Sequence, residues 1–230
     1  MIALVGASVL AAVFAGLYAA RFIQGNARLA ALAGPFSAGA LLFLFFDLVK
    51  ETASLGQGLV RDPLLQLGLL AAFAGGALLL PAFAKGEAGS LRLAWLWALG
   101  IAAHGAGEGW IIGTEAGSAS VTAPLGVASF VLHKVIEGFT IPVVAGAVLR
   151  GRDAWGISAM LAGVAVVGGL AGFASGSGLA PLVLFAAGGG AAAFAILRLG
   201  SLRSFGLREA AVMVLGVVVV YLAGLLHEIA

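Results

Sequence analysis

The sequence lacks cysteine altogether and contains few charged residues. Without cysteine it can form no disulfide and offers no thiolate ligand for a metal or a redox motif. Only 10% of its residues are charged, whereas a soluble domain has about one quarter. The net charge of +2 is small and forms no basic stripe, so nucleic acid is not an expected partner. These absences argue against a soluble protein.

Apolar residues are abundant instead, at 62% of the chain. They fall into runs of about 20 residues, the length of a helix that crosses a bilayer. We predict an all-α integral membrane protein, with a single eight-helix transmembrane domain over residues 1–230. The predicted spans are 2–22, 35–57, 63–84, 93–114, 122–149, 154–176, 179–199 and 205–228.

Lysine and arginine are distributed unevenly between the predicted connections. Most lie at the odd-numbered connections, namely Arg21, Arg28, Lys85, Arg92, Arg150, Arg152, Arg198, Arg203 and Arg208. Arg61 and Lys50 lie on the other side. Because positively charged loops stay in the cytoplasm, we expect both termini outside it and a multi-pass protein of the cell (inner) membrane.

A few ionisable residues lie within the predicted spans, where each costs about 2.5–3.5 kcal/mol near the bilayer centre. They are Asp47, Lys50, Glu51, His104, Glu108, His133, Lys134 and Glu137. Such residues usually face a polar cavity or an ion pathway, so they are the candidates for function.

Two of the three histidines occur in similar stretches, "HGAGEGW" and "HKVIEGF". In each stretch a glutamate follows the histidine by four residues, which places both side chains on one helix face. At about 1.5 Å per residue, His104 and Glu137 lie roughly 16–18 Å from the cytoplasmic ends of their helices, and Glu108 and His133 lie roughly 23–24 Å. Because the two spans run antiparallel, each histidine is level with the glutamate of the other span. The sequence therefore predicts convergence of two imidazoles and two carboxylates near the membrane centre.

Such a ligand set is typical of a borderline divalent ion: Zn²⁺, Fe²⁺, Mn²⁺ or Cd²⁺. Calcium and magnesium are normally bound by oxygen alone. Structural alternatives remain at this point. An intramembrane histidine can be an interhelical hydrogen-bonding group, and Lys50 can hold Asp47 and Glu51 in an ion pair.

The spans and motifs resemble those of the ZIP family of divalent metal transporters. Its members carry H-N-x-P-E-G or H-N-x-x-D-G in the fourth span, where this chain has "HGAGEG". In the fifth span they carry [HQ]-[NED]-x-P-[HE]-[EG], where this chain has "HKVIEG". The second-span stretch "AGALLFLFFDLVKE" resembles the family element A-G-x-x-L-…-F-x-x-L-x-P-E.

The resemblance implies a set of metal ligands and an entrance. The implied ligands are His104, Glu108, His133 and Glu137. Asp47 and Glu51 match an acidic position near the external entrance of the pathway. Gly105 and Lys134 depart from the family pattern at positions that help bind a second metal, so we expect one metal. The Lys134 ammonium is then expected where a second cation would lie.

The resemblance also implies a rigid bundle that contains the fourth and fifth spans and moves against a scaffold that dimerises. We expect the close packing that this motion needs from four glycines, Gly105, Gly107, Gly109 and Gly138. The expected activity is inward transport of a divalent cation, Zn²⁺ foremost, with no separate cofactor. The bilayer, the ion and a second copy are the expected partners.

Two other functions compete with a transporter. A membrane-embedded zinc hydrolase could use His104, His133 and one glutamate, but the chain has no H-E-x-x-H motif and we do not expect an enzyme. A non-transporting metal sensor is the third hypothesis, with Lys134 permanently filling part of the site.

Overall fold

The computed structural model describes residues 2–56, 62–83, 90–115, 124–176, 178–201 and 206–228. Within these residues the chain forms eight α-helices and no strand, which confirms the all-α prediction. The helices are α1 Ile2–Gln24, α2 Ala27–Leu55, α3 Pro63–Phe83, α4 Leu91–Thr114, α5 Pro124–Ala145, α6 Gly151–Ser175, α7 Ala180–Ser201 and α8 Leu207–Glu228. Arg61, Lys85 and Arg203, used above for orientation, lie outside the described residues.

The start of α2 differs from the prediction for 35–57. The helix begins at Ala27, because the Asn26 side chain caps it and accepts a hydrogen bond from the Arg28 backbone N–H at 3.0 Å. Pro35 lies inside the helix and does not begin it.

The end of α5 also differs from the predicted span 122–149. The helix stops at Ala145, because Gly146 adopts a φ of 65°, a left-handed conformation that favours glycine. The Ala147 N–H then donates to the Pro142 carbonyl at 3.1 Å, which closes the helix end.

Six of these helices, within the residues described, are long and apolar enough to cross a membrane. They are α1, α2, α3, α5, α6 and α7. This is the pattern of a membrane-embedded protein. Helix α4 is not among these six, and it carries His104, Glu108 and several glycines.

The helices pack as two groups. In the first group, α4 packs along α6, α1 packs along α5 and α6, and α5 also touches α4. In the second group, α7 packs along α3 and α2, and α2 packs along α8. The largest contacts between the groups are those of α4 with α7 and α5 with α8. We call this boundary the seam.

Glycine allows the close packing of α4 on α6. A Cβ at Gly109 would overlap the backbone of Ala165, and a Cβ at Gly168 would overlap the backbone of Ala106. Small residues of this kind let helices approach closely in a bilayer, where the hydrophobic effect does not drive their association. Helix α4 is thereby fixed to α6, and its other sides face α5 and α7.

Candidate metal centre

Two antiparallel helices of the first group supply the centre. His104 and Glu108 lie one turn apart on α4, and His133 and Glu137 lie one turn apart on α5. The i, i+4 spacing turns both side chains of each pair to the same side. Because α4 and α5 are neighbours, the two pairs face each other.

The ligand atoms converge on one point. His104 Nε2 lies 3.2 Å from Glu108 Oε1 and 3.1 Å from Glu137 Oε1. His133 Nε2 lies 3.6 Å from Glu108 Oε1 and 2.9 Å from Glu137 Oε1. The two Nε2 atoms are 3.3 Å apart. The depth estimate from the sequence places His104 level with Glu137 and Glu108 level with His133.

This spacing suits a tetrahedral ion. With bonds of about 2.0–2.2 Å to nitrogen and oxygen, the corners of a zinc tetrahedron lie about 3.3–3.6 Å apart. The five distances above span 2.9–3.6 Å. All four ligand atoms lie within 4.8 Å of one another. The group could therefore hold a metal ion with little movement of its side chains.

Lys134 lies beside this group and binds both carboxylates. Its Nζ is 2.9 Å from both oxygens of Glu137 and forms an ion pair with Glu108 Oε2. Glu108 thus turns Oε1 toward the histidines and Oε2 toward Lys134, whereas Oε1 of Glu137 contacts both the histidines and Lys134. The ammonium supplies the charge compensation that a buried carboxylate needs.

The centre is less buried at one end than at the other. The side chains of Glu108 and His133 are 19% and 15% exposed, whereas that of Glu137 is 3% exposed. Glu108 lies toward the end of α4 and His133 toward the start of α5. The side of the centre toward the end of α4 and the start of α5 is therefore the more accessible one.

The opposite end is closed by apolar side chains. A cavity of about 20 Å³ lies beside His104 and Glu137. This is little more than the volume that one water molecule needs. The cavity is lined further by Leu41, Leu44, Leu48, Trp97, Gly100, Ile101, Gly188 and Ala192. These side chains close the way toward the start of α4.

Asp47 and Glu51 do not belong to the four-residue group. They are half-buried on the last third of α2, in the second helix group, and Lys50 between them is exposed. The described residues that could hold a metal are the two histidines and two glutamates of α4 and α5. The role of Asp47 and Glu51 as an entrance therefore stays a prediction.

The four glycines singled out from the motifs have different surroundings. A Cβ at Gly109 or Gly138 would overlap backbone of a neighbouring helix, and a Cβ at Gly107 would lie 2.8 Å from the Phe185 ring. Gly105 differs from the expectation of close packing. A Cβ there would meet nothing within 4 Å, so no neighbouring atom requires glycine at this position.

Several residues around the centre were not predicted from the sequence. Phe185 places its ring 5.8 Å from the His104 ring, and a Cβ at Gly188 would lie 3.0 Å from the His104 Cβ. Both belong to α7, which the motifs leave unmentioned.

Trp97 and Thr140 are hydrogen-bonded to each other beside the centre. Their spacing of seven residues from His104 and His133 was a readable signal, because residues seven apart share a helix face.

Comparison with known proteins adds no relative. No protein-family model matches the chain, and no curated protein matches it. The resemblance to ZIP transporters therefore rests on the motif residues of three helices.

Proposed function

We propose that this chain carries divalent transition-metal cations, Zn²⁺ foremost, across the membrane through His104, Glu108, His133 and Glu137. The observation that carries the proposal is the tetrahedral spacing of the four ligand atoms between helices that are otherwise apolar. Two imidazoles with two carboxylates suit Zn²⁺, and also Cd²⁺, Fe²⁺ and Mn²⁺.

The location of the centre supports transport over permanent storage. All four ligands belong to the first helix group, whereas Phe185 and Gly188 of α7 cover His104 from the second group. Movement of one group along the other would change what covers the site. Alternating access of a binding site requires such a movement.

The ligand count favours transport over hydrolysis. A catalytic zinc keeps three protein ligands and one open position for water. Here four side chains could each supply one ligand atom, and Lys134 lies beside two of them. An ion bound in this way is held without an activated water, which is suitable for a cargo.

Lys134 supports a cycle with one metal ion. It compensates the carboxylates while no ion is bound, and it contacts Oε2 of both glutamates. From the ZIP resemblance we further propose that transport runs into the cytoplasm and that two copies associate in the cell membrane. Asp47 and Glu51 would attract the ion on the way in.

The test is metal influx into proteoliposomes that contain a metal-sensitive dye. We expect saturable uptake of Zn²⁺ by the wild type and none by the His104→Ala, Glu137→Ala double variant. His227→Ala is the matched control, because it removes the chain's third histidine at the end of α8 and is expected to keep wild-type uptake. Cd²⁺, Fe²⁺ and Mn²⁺ are tested in parallel. A folded wild-type protein that moves none of these ions would refute the proposal.

A further inference from the structure

A buried hydrogen bond joins α4 to α5 next to the metal centre. The Trp97 Nε1–H donates to Thr140 Oγ1 at 3.2 Å, and the Thr140 hydroxyl donates to the Glu137 backbone carbonyl at 2.8 Å. Trp97 is 2% exposed and Thr140 is 0% exposed. The indole is thus linked, through one hydroxyl, to the backbone of a metal-ligating residue.

The positions of these two residues follow the helical repeat of the ligands. Trp97 precedes His104 by seven residues on α4, and Thr140 follows His133 by seven residues on α5. Seven residues are about two turns, so each lies on the face that carries the ligands. The pair forms a second contact between the two helices, about two turns from the histidines and toward the start of α4.

The hydrogen bond satisfies two groups that would otherwise be costly to bury. A tryptophan is seldom fully buried, and its N–H needs a partner when it is. A helical threonine commonly turns its hydroxyl to the backbone of the preceding turn, as Thr140 does, and the oxygen can still accept a bond. Among the described residues, this is the one side-chain hydrogen bond between α4 and α5 outside the ligands themselves.

Metal binding makes the register of the two helices critical. The ligands are divided between α4 and α5, so the distance from His104 to Glu137 depends on how far one helix is displaced along the other. A shift of one residue moves a helix by about 1.5 Å, whereas a metal site tolerates deviations of about 0.2 Å in its bond lengths.

We propose that Trp97 and Thr140 are positioning residues of the metal centre. Their hydrogen bond fixes the register of α4 against α5, so that the four ligands stand at tetrahedral spacing before the ion arrives. The link from Thr140 to the Glu137 carbonyl places that ligand directly. This inference rests on the proposed metal binding, but it does not depend on whether the ion is then transported.

The test uses Co²⁺ as a probe of ligand geometry, with the purified full-length chain in detergent. Four-coordinate Co²⁺ gives a stronger visible absorption than six-coordinate Co²⁺, so the spectrum reports the arrangement of the ligands. Trp97→Phe keeps an aromatic ring and removes the N–H, and Thr140→Val keeps the shape and removes the hydroxyl. We expect each to weaken Co²⁺ binding by about 10-fold or more, as changes to groups that orient metal ligands do. We also expect each to weaken the four-coordinate absorption.

Further variants separate positioning from general stability. The double variant is expected to bind no worse than either single variant, because all three lose the same bond. Thr140→Ser keeps the hydroxyl and is expected to restore wild-type affinity and spectrum. Trp95→Phe is the matched control, since Trp95 lies on the same helix but packs against Gly156 of α6. It is expected to leave binding unchanged.

Three results would overturn the inference. Wild-type Co²⁺ affinity and spectrum in both Trp97→Phe and Thr140→Val would do so, as would an equal loss in Trp95→Phe. A lower melting temperature with an unchanged Co²⁺ spectrum would reduce the pair to a structural role. If wild-type protein binds no Co²⁺, the metal centre itself is refuted along with this inference. Binding without flux in proteoliposomes would refute transport alone and leave the positioning role in place.

Discussion

The contact of α4 with α6 differs in kind from its contact with α7. Toward α6, a Cβ at Gly109 or Gly113 would overlap backbone atoms. Toward α7, a Cβ at Gly107 would meet the Phe185 ring, and a Cβ at Gly100 would meet the Ala191 methyl group. Backbone atoms cannot move aside without moving a helix, whereas the Phe185 side chain can change its rotamer. The α4–α6 contact is therefore closed by backbone, and the α4–α7 contact is closed in part by a side chain that can adjust.

The second helix group also contains helices whose backbones approach each other closely. A Cβ at Gly39 of α2 would overlap the backbone of Met213 in α8, and a Cβ at Gly190 of α7 would overlap the backbone of Phe73 in α3. Both groups are therefore held internally by backbone approach, whereas the α4–α7 part of the seam combines side-chain contacts with the approach of Gly188 to the His104 backbone.

Two side chains donate hydrogen bonds to backbone carbonyls at the end of α5, one from within the same helix group and one from the other group. Gln24 of α1, in the same group, donates from Nε2 to the carbonyls of Pro142 and Ala147 at 3.4 Å each. Arg198 of α7, in the other group, donates from Nε to the Val144 carbonyl at 3.1 Å. The first link would travel with α5 during a shift of the groups, and the second would break.

The largest effect is expected from removing the charge inside the first group. Lys134→Met keeps the approximate shape of the side chain but leaves Glu108 and Glu137 without their cation. Breaking a buried ion pair in this way costs about 3–5 kcal/mol. We expect a lower melting temperature without metal and a larger stabilisation by Zn²⁺ than in wild type, measured by thermal unfolding.

A second change distinguishes loss of charge balance from loss of packing. In the Lys134→Met background, Glu108→Gln is expected to recover part of the lost stability because one unpaired charge is removed. No recovery would show that Lys134 contributes through packing alone.

The next largest effect on stability is expected at the α4–α6 contact, where the backbones of the two helices touch. Gly109→Ala adds a methyl group against the Ala165 backbone, and such overpacking costs about 1–3 kcal/mol. Gly105→Ala on the same helix meets open space, so we expect it to be neutral or to stabilise by up to about 1 kcal/mol through helix propensity. Thermal unfolding of the two variants side by side measures the difference. Equal destabilisation would contradict the rigid contact.

Changes at the seam should alter flux more than stability. Phe185→Leu removes the ring that lies over Gly107 and beside His104. Phe185 is 1% exposed, so the smaller leucine leaves a small cavity, which we expect to cost about 1 kcal/mol or somewhat more. We expect a several-fold rise in Zn²⁺ flux, while Gly107→Ala, which presses on the ring, should lower it. Proteoliposome uptake at equal protein content measures both. Parallel changes in flux and stability would argue against a movable seam.

The smallest effect is expected at the end of α5. A single hydrogen bond is worth about 0.5–1.5 kcal/mol, which is about a two- to thirteenfold shift in a conformational equilibrium. The chain has no native cysteine, so an Ala192→Cys variant reports access to the closed side of the centre. We expect Arg198→Ala to increase the rate of maleimide labelling within that range.

Gln24→Ala is the matched control for Arg198, because its bonds stay within one helix group. We expect it to leave the labelling rate unchanged. A similar rise in both variants would show that the end of α5 is loosened generally and that the seam is not involved.

Sequence patterns were sufficient to predict the helices and the four residues that converge at the centre. Long apolar runs require backbone hydrogen bonds to be made within the chain, which in a bilayer leaves the helix as the local solution. The i, i+4 spacing of histidine and glutamate then fixed which side chains share a face. Boundaries were less certain, because a single cap at Asn26 or a left-handed Gly146 moves a helix end by several residues.

How the ligand-bearing faces of α4 and α5 meet could be learned only from the tertiary structure. The rotation and register of α4 against α5 depend on contacts distant in sequence, such as the bond from Trp97 to Thr140 and the approach of Gly109 to α6. Motif comparison treated Gly105 and Gly109 alike, although one faces open space and the other a backbone. A glycine has no side chain to reveal its neighbour, so the packing partner of each could be read only from the folded chain.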